Sequence, residues 1–140
     1  MKETSRIEEK LADIKEYLNE LNGRLPSTFE GYKRADLMLK RTVERNLQLI
    51  NDSEIDVLAI LVKLKELSIA VSEEALIDRF NKLLSKRVVA HLKEFRRLRN
   101  MLTHTYKNEN YDELVFDSTK KLDEVRDFIR DVNNLIKDRH

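Results

Sequence analysis

The chain has no cysteine. That excludes disulfides, a thiolate nucleophile and thiolate metal sites together. Tryptophan is absent as well, and 140 residues contain only one proline and two glycines. So few breakers leave little to interrupt helices. No excess of one charge is present: 27 basic and 26 acidic residues leave a formal net charge of +1. Bulk electrostatics therefore does not announce a nucleic-acid binder, and any anion site must be a local cluster. No apolar run approaches the roughly 18 residues of a membrane span. The opening MKETSRIEEK lacks the apolar core of a signal peptide, so a cytoplasmic protein without a membrane partner is expected.

What is present points to helices with charged outer faces. Hydrophobic residues make up 41% and charged residues 38% of the chain. The first is enough for a packed core, and the second is well above the usual quarter. One domain over residues 1–140 is expected at this length. Ile7, Leu11, Ile14, Leu18, Leu21 and Leu25 alternate spacings of four and three, which predicts a helix from about Ser5 to Leu25. Gly23 and Pro26 mark its end.

Ser27-Thr28-Phe29-Glu30 has the form of a capping box, and Leu39, Val43, Leu47 and Ile50 follow as a stripe. Asn51-Asp52-Ser53 is either a turn or a polar patch within a longer helix. Ile55, Leu58, Leu61 and Val62 resume the pattern, which favours one helix from about Thr28 to Ala70, kinked or not near Asp52. Ser72-Glu73-Glu74 starts a shorter helix reaching about Ser85, with acids in the first turn where the dipole favours them. A further helix carries Val88, Leu92, Phe95, Leu98 and Leu102, and Lys107 to Asn110 reads as a loop. The last helix is expected from about Asp112 to Lys137, with Val115, Leu122, Val125, Ile129, Val132 and Ile136 as a seam and Ser118 as its polar member. No strand-like alternation is seen. The expected fold is all-α: an up-and-down bundle of about five helices. Wide stripes leave apolar surface for a second subunit, so a symmetric homodimer is expected.

Arg99-Asn100-Met101-Leu102-Thr103-His104-Thr105-Tyr106 is the densest chemistry in the chain, with Arg96 and Arg97 just before it. Arginine can hold a phosphate bidentately, and histidine moves protons near neutral pH. His91, His104 and His140 form no ligand spacing and no acidic cluster sits beside the motif, so neither metal nor cofactor is expected. Positions 99 and 104 are about 140° apart round an ideal helix. They converge only if the helix loosens near His104 or if both reach a cleft shared across a dimer axis.

The segment resembles the HEPN superfamily signature, in which Arg, usually followed by Asn or Asp, precedes His by a few residues. The string Arg99-Asn100-x-Leu102-x-His104-x-Tyr106 is similar to one branch, the HepT toxins of HepT/MntA toxin–antitoxin pairs. Val43-Glu44-Arg45-Asn46-Leu47-Gln48 followed by Ile55-Asp56 is similar to that branch's long second helix. The resemblance implies a small helical homodimer whose two motifs meet at the interface. It implies metal-independent RNase activity on an RNA substrate, restrained by an MntA-like nucleotidyltransferase. It implies Arg99 and His104 as the catalytic pair, Asn100 as the polar residue after the arginine, and Tyr106 as a tyrosine that the antitoxin adenylylates.

Plainer readings stand beside these. Arg96 and Arg97, offered as RNA-binding support, also suit an ordinary solvated helix face. Tyr106 can simply pack its ring. Glu44, Arg45 and Asp36 either face the cleft or form exposed pairs along a helix. His91 is a surface or core histidine. A non-catalytic nucleotide- or RNA-binding helper and a purely structural bundle remain as alternative functions.

Overall fold

The computed structural model describes residues 2–103 and 110–137. These form seven helices and no strand: α1 (Lys2–Leu21), α2 (Phe29–Arg34), α3 (Leu37–Leu64), α4 (Glu73–Asp78), α5 (Lys86–Thr103), α6 (Tyr111–Thr119) and α7 (Leu122–Lys137). The long helices make a ring in which α1 packs on α3, α3 on α5, α5 on α7, and α7 returns to α1. Short α2 lies on α6, and short α4 bridges α3 and α5. Every residue of the expected first stripe from Ile7 to Leu21 is buried, as are Val43, Leu47, Ile50, Leu58 and Leu61 of α3.

The all-helical class expected from the sequence is the one observed, but the count of about five is corrected to seven among the described residues. Both extra helices come from splitting a predicted long one. The first break falls at Ala35-Asp36, not at Asn51-Asp52-Ser53. Asp36 is extended (φ −67°, ψ 163°) and its carboxylate accepts from Leu39 N. That bend lets Phe29 and Tyr32 of α2 reach Phe116 of α6, each with ring centroids 5.9 Å apart. The second break falls at Lys120-Lys121. There Ser118 Oγ donates to Leu114 O at 3.0 Å and Thr119 Oγ1 to Phe116 O at 2.6 Å. Such hydroxyl bonds compete with the helical ladder. The seam survives the break: Val115, Ser118, Leu122, Val125, Ile129 and Val132 are all buried.

Helix α3 runs straight through Asn51-Asp52-Ser53, because its polar side chains find partners inside the bundle. Asn51 Nδ2 donates to Glu54 Oε1 at 3.2 Å, and Glu54 Oε2 meets His91 Nε2 of α5 at 2.6 Å. The helix stops at Leu64 and does not reach Ala70. Glu66 adopts a left-handed φ of 54° and Leu67 N bonds back to Val62 O at 2.9 Å, the geometry of a helix C-cap that glycine usually supplies. Ser72 caps α4 as expected, its Oγ accepting from Ala75 N at 3.1 Å. That helix ends at Asp78, short of Ser85, and the Arg79 guanidinium turns back to donate to Ser68 O and Ile69 O, each at 3.1 Å. The connection from α3 to α4 is thereby pinned. No helix among the described residues is long and apolar enough to cross a membrane.

Candidate functional site

Helix α5 carries the motif. Its apolar stripe, Val88, Leu92, Phe95 and Leu98, is buried against the bundle. That fixes the helix's rotation and sends Arg96, Arg99 and Asn100 to one flank. Arg97 falls outside this group: it is exposed, and the structure gives it no ion pair among the described residues. Its expected role as RNA-binding support beside Arg96 therefore rests on a solvent-facing guanidinium outside the cluster. His104 and Tyr106 lie outside the described residues.

Two carboxylates converge on the arginines from other elements. Glu73, the first residue of α4, accepts from Arg99 Nη2 and, with the same Oε1, from Arg96 Nε at 3.2 Å. Asp52, on the outer face of α3, accepts from Arg99 Nη1 at 3.4 Å. Asn100 Oδ1 accepts from Arg99 Nη2 at 3.1 Å. Arg99 is left only 12% exposed. Burial opposes ionisation of Glu73, but the hydrogen bonds and charges of Arg99 and Arg96 outweigh it and hold its carboxyl below the ordinary value. The site is thus a neutralised cluster of two guanidiniums and two carboxylates, not the bare cationic patch that the motif alone suggests.

Beside it runs a groove of about 740 Å³, lined by Ala59, Val62, Leu67, Ile69 and Val71, with Glu73 at its edge. Ile69 and Val71 are 86% and 98% exposed. Glu73 is the link between this apolar surface and the arginines.

Two turns before Arg99 on the same helix, His91 is buried, its ring tilted against Phe95 with centroids 4.2 Å apart. Its Nδ1 is 3.4 Å from Glu124 Oε1, out of line for a hydrogen bond. Burial would lower the His91 pKa, but the charge and hydrogen bond of Glu54, with Glu124 behind, raise it above the ordinary imidazole value. His91 is therefore a core histidine. Among the described residues no group of three or more His, Asp or Glu is arranged to hold a metal.

The helix-2 residues scatter. Glu44 accepts from Tyr111 Oη at 2.8 Å. Arg45 is exposed, and Asp36 is spent on its cap. Asn46 is buried and donates to Tyr17 O at 3.0 Å. Burial pushes the Tyr32 phenol up, reinforced by Glu44 and Asp112. Burial and then the Glu44 hydrogen bond do the same for Tyr111.

Glu73 and Asp52 were not legible as site residues. Glu73 reads locally as a first-turn acid, and nothing in its neighbourhood signals a partner 26 positions away. Glu54 and His91 did leave a signal. Each interrupts an apolar stripe, one with an acid and the other with a base, on two helices that the fold must pack together.

Fold and cluster together define a HEPN-like helical domain with its arginine on the penultimate long helix. Residues 7–132 match the ribonuclease HepT-like family, and the chain belongs to it. No curated protein matches the chain. Among solved structures, a mutant of the toxin–antitoxin MntA-HpeT is similar with a TM-score of 0.79 and 24% identity, covering 93% of this chain and 98% of that one. A toxin–antitoxin with AMP-PNP gives a TM-score of 0.74 and 25% identity, covering 91% and 96%. A tri-AMPylated Shewanella oneidensis HEPN toxin in complex with MNT antitoxin gives a TM-score of 0.66 and 21% identity, covering 95% of each chain.

Proposed function

We propose that this protein is a cytoplasmic endoribonuclease toxin, working as a symmetric homodimer and neutralised by a partner nucleotidyltransferase. The observation that carries the reading is the family match, because its span contains Arg99, His104 and Tyr106. Arg99 is the phosphate clamp, supported by Arg96 and Asn100. His104 is the proton-transfer group. RNA is cut through its own 2′-hydroxyl: a base removes that proton, the oxygen attacks the adjacent phosphorus, and an acid protonates the departing 5′-oxygen. Charge gathers on the phosphorane between these steps, where a fixed cation stabilises it best. Two copies of the motif at one dimer cleft would supply one histidine for each proton transfer. The exposed Ile69 and Val71 beside the arginines support this reading, as apolar surface that a second copy would cover.

Tyr106 is the proposed acceptor of AMP from the partner. Its oxygen would attack the α-phosphorus of ATP and release pyrophosphate. The added anion would then occupy the arginines and block RNA. Tyr32 and Tyr111, at 0% and 4% exposed, are poor acceptors.

The test is cleavage of RNA by the purified protein in excess EDTA, alongside Arg99→Ala and His104→Ala. Both variants are expected to lose at least about a hundredfold in rate, the scale of a lost acid–base or charge-stabilising group. Cleavage that survives in both would overturn the assignment.

A further inference from the structure

Arg99 cannot grip a phosphate bidentately as it stands. Its Nη2 serves Glu73 and Asn100, and its Nη1 serves Asp52. A bidentate grip needs two N–H groups pointing at the anion, and both ends of this fork are engaged. The local charge is also spent, since Arg96 and Arg99 face Glu73 and Asp52. An arriving phosphate would meet a carboxylate at the place where it needs a cation.

The two acids are not held alike. Asp52 sits mid-way along the 28-residue α3 and touches Arg99 only at 3.4 Å. Glu73 engages both arginines through one oxygen, and it stands at the start of a six-residue helix, two residues after the exposed Val71. Its side chain is 36% exposed, so it can rotate into water without unpacking the core.

We propose that Glu73 is a carboxylate latch on Arg99: it occupies the phosphate position in the free chain, and a nucleic-acid phosphate binds by displacing it. The latch deepens the ribonuclease reading and rests on it for the identity of the natural ligand. Affinity for RNA is then lowered by the fraction of molecules in which Glu73 is engaged. Substrate must compete for the arginine, and anything that moves the start of α4 changes that competition.

The experiment uses the full chain and a fluorescent single-stranded oligodeoxynucleotide, which lacks the 2′-hydroxyl and is not cut by the proposed route. Binding is followed by anisotropy over a range of salt for the wild type, Glu73→Gln and Glu73→Ala, with thermal melting as the check on folding. The latch predicts that both variants bind about tenfold more tightly at each salt concentration, the factor by which an engaged Glu73 lowers the competent fraction. In an Arg99→Ala background the gain disappears. Equal or weaker binding by the Glu73 variants overturns the latch, as does a gain that persists without Arg99, which would be a general charge effect. The two proposals fail separately. Arg99-dependent tightening in a protein that never cuts RNA keeps the latch and removes the ribonuclease. Cleavage that needs Arg99 and His104, with binding unmoved by Glu73→Gln, does the reverse.

Discussion

Neither side chain of the Glu54–His91 pair has exposed area. A buried pair of this kind adds little over an apolar pair of the same shape, but losing one partner leaves the other buried and unpaired. Glu54→Ala is therefore expected to destabilise the fold by about 3–5 kcal/mol in urea denaturation. Replacing both residues by leucine is expected to cost far less, and a double variant as unstable as the single would contradict this account. The pH dependence has a defined sign. His91 has its folded pKa raised, so the stability it contributes is fully present below about 6.5, the ordinary imidazole value, and is lost as pH rises through the folded value. The stability gap between the wild type and His91→Phe should narrow above neutrality, and a gap that widens there would refute the assignment. Half of this was readable in the sequence: His91 and Glu54 both stood on apolar stripes. The Arg99–Glu73 contact was not, because it joins residues whose spacing carries no periodic signal.

The helices were read well where the sequence marks them and badly where it does not. Ser72 caps as expected, but the expected box at Ser27 to Glu30 is off by one: Thr28, not Ser27, is the cap, its Oγ1 accepting from Gly31 N at 3.0 Å. Leu64 ends α3 with glutamate, not glycine, in the left-handed position, so no residue announced the stop. The Ala35-Asp36 break lacked glycine and proline as well. Its sole local mark is the aspartate, and the deciding force is tertiary: α2 must bend away for Phe29 and Tyr32 to meet Phe116. Asp36→Ala should therefore lower stability by about 1 kcal/mol, the usual worth of an N-cap. Asp36→Ser should recover most of it, and chemical denaturation of the three proteins decides. No change on Asp36→Ala would mean that packing alone sets the break.

At the scale of the molecule, the ring of α1, α3, α5 and α7 leaves the α3–α4 connection outside, pinned by Arg79 with Ile69 and Val71 turned to solvent. If a second copy covers that surface, Val71→Asp should shift the protein from dimer to monomer by light scattering while melting stays within a few degrees, as for most surface changes. A wild-type monomer would overturn the homodimer, and a dimer indifferent to Val71→Asp would place the interface elsewhere. Composition also becomes intelligible at this scale. A net charge of +1 is compatible with RNA binding only through local sites, and under the proposed function the arginine cluster is that site, its charge offset by Glu73 and Asp52 in this structure. The central claim is that RNA is cut through its own 2′-hydroxyl with Arg99 and His104, and the chemistry of the new ends tests it most directly. Mass spectrometry of a defined RNA oligonucleotide cut in EDTA should show 2′,3′-cyclic phosphate on one fragment and 5′-hydroxyl on the other, with neither formed by His104→Ala. Fragments ending in 3′-hydroxyl and 5′-phosphate would contradict it.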